Sequence, residues 1–416
     1  MPVMAETLPR LRSDLDFLPS PAPNRPGLMI RDPFRYSDTT LIIPPALVEC
    51  LQFFDGRWTD LDLRAALVEL TGDLRVGELE QHLRQALGEA GFFQDEVYQR
   101  LREERRSAFL DAPRREPSQA GAAYPEDAAR LSALLEGYLS AAPAPAAPRP
   151  LVGIAAPHVS LDGGCRCYAA AYAALQPEDR DRVFVILGTS HYGEPERFGL
   201  TRKPFVTPLG EAPTESDLVE RLASAAGPAV ALEDYCHAVE HSIEFQVVFL
   251  QHRFGPGVRI LPILCGAFAR GLESGRQPED DANVGRFLAA LGELAAEQGE
   301  RLCWVLGIDM AHMGRRYGDL FAARAGQDRM EEVSALDRGR IELLSRGDAG
   351  GFWEAVRDGA DPLRWCGSAA LYTFLRAVPR VRGELLRYEQ WNIDEHSVVS
   401  FAAMAFSAPA PGQDAA

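Results

Sequence analysis

Four of the eight histidines in this 416-residue chain sit in short motifs that read as loops at strand ends. His158 lies in AAPHVSLDGG, His191 in VFVILGTSHYG, His241 in HAVEHSIEFQ and His312 in WVLGIDMAHMGRRYG, where Asp309 stands three residues ahead of it. A late cysteine, Cys366 in RWCGSAALY, can join them. Imidazole and thiolate collected at strand ends are the donors that a mononuclear transition-metal site needs. Competing chemistries lack their residues. Cys165-Arg166-Cys167 has no second cysteine pair, and GTSHYG is not the GxSxG of a nucleophile elbow. Lys203 is the sole lysine and stands in no phosphate-loop or Schiff-base motif. His82 and His252 read as surface residues on helices and His396 as the structural start of the last strand, while His237 beside Cys236 is open to either reading.

The elements that must position these groups are apolar runs of strand length: LVGIAAP, RVFVILG, VRILPILCG and RLCWVLGID. Runs so rich in Val, Ile and Leu imply strands buried on both faces. The expected fold class is α/β, a mixed or mostly parallel central sheet with helices on both faces. In open sheets of this kind ligands bind beyond the carboxyl ends of the strands. His158 follows the first run, His191 the second, and Asp309 and His312 the last. If these strands are parallel, the four groups meet at one sheet edge. His241 and Glu244 read as an i, i+3 pair on one helical face, able to line the pocket. Glu244 reads equally well as a structural charge in a buried ion pair.

Composition divides the chain. Residues 1–26 are proline-rich and read as an irregular lead-in. Residues 27–95 read as a small winged-helix-like unit, two short strands followed by three helices, with Thr59 as an N-cap and Leu79, Leu83 and Leu87 on one helical face. Residues 96–117 read as a charged connecting helix and linker, since their arginines alternate with glutamates. Residues 118–408 carry the strand–helix alternation, with APAPAAPRP as a flexible loop before Leu151, and 409–416 read as a disordered tail.

A net charge of −17 excludes a nucleic-acid or anionic-membrane partner, because binding there needs clustered cations. Seven cysteines without framework spacing read as reduced thiols of a cytoplasmic protein. The first residues carry no signal-peptide pattern, and no apolar run reaches membrane-spanning length.

The order APH…GG, ILGTSH, EHSIEFQ, ILPILCGA, D-x-x-H and a late CG resembles the Memo family, also called AmmeMemoRadiSam system protein B, over roughly residues 118–408. The resemblance implies a fold shared with the class III, LigB-like extradiol dioxygenases, which use Fe(II) held by two histidines and a carboxylate. It places the family's site on His158, His191 and His312, with Asp309 beside them and the cysteine at Cys366. Metal ligands are then His158, His191 and Cys366, with His312 an acid/base oriented by Asp309. Iron is the first expectation for the metal, with copper or zinc as alternatives, since thiolate and imidazole suit all three. Where Memo proteins continue Ala-Gly-Tyr after the first histidine, this chain has Val159-Ser160-Leu161, so a pocket aromatic is missing there. The phrase Asp55-Gly56, Trp58, Thr59 and Leu61 resembles the PqqD-type peptide-recognition module that accompanies radical SAM enzymes. Together these imply a metal-binding protein working with a radical SAM partner, and a peptide or protein bound through the strand edge of the N-terminal unit. The alternatives are a non-haem iron dioxygenase-like enzyme acting on a small or peptide-borne substrate, and a non-catalytic adaptor with a vestigial pocket.

Overall fold

The computed structural model describes residues 5–20, 22, 24–140 and 150–408, so the loop before Leu151 (bar Pro150) and the tail 409–416 lie outside the described residues. The chain divides into two compact units, residues 1–112 and 113–416.

The first unit opens with a three-stranded antiparallel sheet, β1 (Asp16–Pro19), β2 (Leu28–Arg31) and β3 (Thr40–Ile43). Residues read as an irregular lead-in thus supply one strand. Pro44 and Pro45 start a 3₁₀ helix, Pro45–Phe53, followed by α1 (Asp60–Thr71), α2 (Gly77–Glu89) and α3 (Glu96–Asp111). Thr59 caps α1 in a reciprocal box with Asp62, which satisfies two amides the helix start would leave open. Leu83 and Leu87 of α2 join Ile30, Ile43, Leu63, Leu67 and Phe92 in the core, and Leu79 packs against it. The charged α3, read as a connector, belongs to this unit and is mostly exposed.

The second unit is built in chain order from α4 (Ala128–Ser140), β4 (Leu151–Ala156), α5 (Leu161–Ala173), β5 (Val183–Thr189), β6 (Phe198–Leu200), β7 (Phe205–Thr207) and β8 (Gly210–Ala212). Then come α6 (Ser216–Ala226), β9 (Val230–Leu232), α7 (Cys236–Val239), α8 (Glu244–Phe254), β10 (Ile260–Cys265), α9 (Ala269–Ser274), α10 (Ala282–Gln298), β11 (Leu302–Gly307) and β12 (His312–Gly314). The unit closes with α11 (Arg329–Arg346), α12 (Ala349–Arg357), α13 (Ser368–Ala377), β13 (Arg382–Asp394) and β14 (Ser397–Ser407).

The main sheet runs β12-β14-β4-β11-β5-β10-β6-β9, with β13 paired to β14. Its centre, β4-β11-β5-β10, is parallel, and β14 and β6 flank it antiparallel. The fold is therefore α/β with a mixed sheet. Alternation along each strand explains the unbroken apolar runs. Val183, Val185 and Leu187 face the core under α6, α10, α12 and α13, while Phe184 and Ile186 face the core under α4, α5 and α8. Both faces are covered, so both sets of side chains must be apolar. Because the four central strands are parallel, their carboxyl ends share one edge. Among the described residues no helix is long and apolar enough to cross a membrane.

Candidate metal centre at the carboxyl edge

His158 stands two residues past β4, in the short turn before α5. Its backbone amide donates to Asp309 Oδ1 at 2.9 Å, the Val159 amide donates to the same oxygen at 3.2 Å, and ring Nδ1 is 2.9 Å from the Gly307 carbonyl. The turn is fixed from outside as well, by Gln246 Nε2 on the Pro157 carbonyl and Tyr168 OH on that of Val159. Ser160 caps α5 and Leu161 is buried. The Val-Ser-Leu departure from the family phrase is thus the start of a capped helix.

His191, two residues past β5, donates its amide to Glu240 Oε2 at 2.9 Å, and its Nδ1 lies 3.0 and 3.1 Å from the two Glu240 oxygens. His241 follows Glu240 in the break between α7 and α8, not on a helix as its spacing from Glu244 suggested. The break exists because Glu240 Oε1 accepts the amides of His241 and Ser242, which would otherwise be open at the start of α8. His241 Nδ1 is 3.2 Å from the same oxygen. Two glycines let this segment lie against the sheet. A Cβ on Gly307 would meet the Ser242 carbonyl at 2.4 Å, and one on Gly188 would meet Ser242 Oγ at 2.6 Å.

The result is a group of three imidazoles. The ring centroids of His158, His191 and His241 are 5.0 to 5.3 Å apart, and ligand-capable atoms, one from each ring, lie within 4.8 Å of one another. Each Nδ1 faces an acceptor, Gly307 O for one ring and Glu240 for two, so a neutral ring there carries its proton on Nδ1. That leaves Nε2 as the acceptor nitrogen, the state in which histidine binds metal.

Cys366, in the turn before α13, reaches the same place from the other side. Its Sγ is 3.4 Å from His158 Nε2 and 3.6 Å from the Asp309 carbonyl. Burial raises the thiol, but His158 and His191 outweigh it and bring the group down to about 7. His191 is correspondingly high. Burial pulls it down, and the Glu240 carboxylate and Cys366 pull it further up. Glu240 is held well below the usual carboxylate range by the two imidazoles despite its burial. His158, fully enclosed, is held low by burial against the pull of Cys366.

Asp309 is buried with Oδ2 3.7 Å from His158 Nε2, and burial pushes its carboxyl up against the amides and imidazoles that pull it down. His312 opens β12. Its Nδ1 is held by the carbonyls of Met310, at 2.9 Å, and Arg364, at 3.1 Å, where orientation by Asp309 was expected. Burial keeps this imidazole low, hence neutral near pH 7.

Glu244, expected as a pocket residue, has a different place. Its carboxylate accepts from Arg115 Nη1, the Ser118 and Gln119 amides, Ser118 Oγ and Tyr124 OH. Arg115, with no exposed side-chain surface, also donates to the carbonyls of His237 at 2.8 Å and Glu240 at 2.9 Å. This buried pair latches residues 115–124 onto the segment that carries Glu240 and His241. His237 is buried with Nε2 on the Gly199 carbonyl. Two residues escaped the sequence reading. Glu240 was signalled only by its adjacency to His241, and Arg115 by nothing beyond being one arginine among many.

Residues 115–405 match the sequence model of a family described as Memo-like protein. A MEMO1 family protein of Aquifex aeolicus is 27% identical over 91% of this chain and 95% of its own length. One from Thermococcus kodakarensis is 29% identical over 70% of this chain and 99% of its length, and one from Thermus thermophilus 28% identical over 75% and 87%.

Proposed function

From the premise that the chain belongs to the Memo-like family, we propose that its second unit is a redox-capable metal-binding domain. One transition-metal ion is held by His158, His191 and His241, with the Cys366 thiolate beside them. The observation that carries this reading is the commitment of all three Nδ1 atoms to acceptors, which leaves Nε2 as each ring's donor, in rings whose ligand-capable atoms lie within 4.8 Å of one another. The donor set fits a borderline or soft ion, iron first, with copper or zinc as alternatives. When bound, iron or copper would supply electron transfer and zinc would supply Lewis acidity. The chain's own residues set the rest. Glu240 orients two rings, the Gly307 carbonyl orients the third, and neutral His312 accepts or returns a proton at Nε2.

A second reading, an iron enzyme of dioxygenase type, is supported by Asp309 Oδ2 at 3.7 Å from His158 Nε2, a carboxylate available beside the histidines. Partnership with a radical SAM enzyme follows from the family resemblance and belongs to the same proposal. The test is anaerobic purification, reconstitution with Fe(II), Cu(I) or Zn(II), and metal analysis of the wild type and of His158→Ala and His241→Ala. Stoichiometric metal in the wild type and loss in both variants is expected. A wild type that retains none of the three metals refutes the reading. Oxygen uptake with catechols would separate the second reading from the first, and co-purification with a co-expressed radical SAM protein tests the partner.

A further inference from the structure

We propose that Arg364 is a positioning residue that fixes the Cys366 thiol and the His312 ring as one unit; this rests on the metal-site reading above and extends it. The approach to Cys366 is unusual backbone. Ala360, Asp361 and Arg364 have φ of 56°, 54° and 54°. Left-handed backbone is unfavourable for a residue with a Cβ and persists where its surroundings hold it. Here the hold is explicit. The Arg364 amide donates to the Asp361 carbonyl at 2.9 Å, closing the turn. Asp361 takes the Trp365 amide at 2.7 Å and Arg340 Nη1 at 2.8 Å. Trp365 Nε1 is anchored on buried Asp337 at 2.7 Å.

From this turn the chain grips His312. The His312 amide donates to the Leu363 carbonyl at 2.9 Å, its Nδ1 lies 3.1 Å from the Arg364 carbonyl, and its own carbonyl accepts from Arg364 Nη1 at 2.7 Å. The same guanidinium pairs with Asp319. Glycine would take the left-handed backbone more easily. The arginine is accounted for by its side chain, which returns to His312 and Asp319. Two residues later Cys366 meets His158, so φ and ψ at Arg364 set both the His312 contact and the path of the thiol.

The test uses the full chain, wild type, Arg364→Val and Arg364→Gly, with Co(II) as the probe under anaerobic conditions. Sulfur-to-cobalt charge transfer reports the thiol, and the ligand-field bands report total bound cobalt. A β-branched residue resists positive φ, so in Arg364→Val the ratio of thiol-bound to thiol-free cobalt should fall by roughly tenfold with cobalt retained. Arg364→Gly should keep the charge-transfer band. Equal band intensity in Arg364→Val overturns the proposal. Hydrogen exchange of the metal-free chain decides independently. The His312 and Gly367 amides should exchange faster in Arg364→Val, and that of His312 in Arg364→Gly, while β5 stays protected. Unchanged exchange at these amides overturns the proposal. Should Arg364→Val fail to fold, seen as loss of β5 protection, Arg364→Gly alone decides through His312. A wild type that binds no cobalt refutes the metal reading instead, and the exchange data still judge Arg364.

Discussion

Replacing Glu240 with glutamine should weaken metal binding although it leaves every metal donor in place. The Glu240 carboxylate is buried and accepts from three amides, those of His191, His241 and Ser242, as well as from two imidazole Nδ1 atoms. Glutamine keeps one acceptor oxygen and puts an NH2 where the other stood, so a donor faces donors. One imidazole then loses its partner or changes tautomer, and an unsatisfied buried group costs about 1–3 kcal/mol. Loss of an orienting partner behind a metal-bound histidine weakens binding by about 10–100-fold. Here one carboxylate orients two of the three rings, which places the expectation near the upper end, about 100-fold or ~2.8 kcal/mol. The assay is chelator competition with Zn(II) or Co(II) on the full chain, alongside a thermal melt. An affinity within about threefold of wild type (~0.65 kcal/mol) would show that Glu240 does not orient the rings.

Four further outcomes are expected. Arg115→Met strands the Glu244 carboxylate in the interior and should cost about 3–5 kcal/mol in urea unfolding, with recovery when Glu244→Leu is added. Glu244 is buried, yet Arg115, Tyr124 and Ser118 hold it below the usual carboxylate range. A depressed carboxylate contributes stability above its unfolded value, ~4.3, and loses it as pH falls through the lower folded value. Glu244→Gln should therefore unfold with a shallower dependence in that acid window, and an unchanged slope refutes the assignment. Gly307→Ala drives a Cβ to 2.4 Å from the Ser242 carbonyl and should cost about 1–3 kcal/mol with loss of metal, read by calorimetry and metal analysis. Gly137→Ala, with nothing within 4 Å, is the control and should not destabilise. Iodoacetamide should alkylate metal-free Cys366 with a midpoint near 7, rising in His158→Ala, and peptide mass spectrometry would detect a midpoint that fails to move.

The four central strands were legible because burial on both faces leaves no polar residue to interrupt Val183–Leu187 or Leu302–Leu306. Once those strands are parallel, His158, His191, Asp309 and His312 share an edge by necessity, since each follows a strand by a few residues. What escaped the sequence was anything decided by backbone hydrogen bonding. EHSIEFQ has helical spacing throughout, yet the Glu240 side chain takes the first amides and breaks the helix, moving His241 from a wall to the centre. Glu244 faces away because Arg115, distant in sequence, claims it. Of the left-handed residues before Cys366 a glycine announces just Gly359, while Ala360, Asp361 and Arg364 carry no such signal.

β4 and β14, the first and last strands of the sheet, are neighbours, and His158 and Cys366 are 208 residues apart in the chain. During synthesis β4 waits for β11 on one flank, and its other flank closes only when the ribosome has made the chain through β14. The histidine turn after β4 waits equally long for the thiol. On the proposed reading, a nascent chain that carries His158, His191 and His241 still lacks the Cys366 thiol and the β14 flank, which places completion of the site after translation of the domain. If the site takes an ion, its full donor set is then a property of the finished fold.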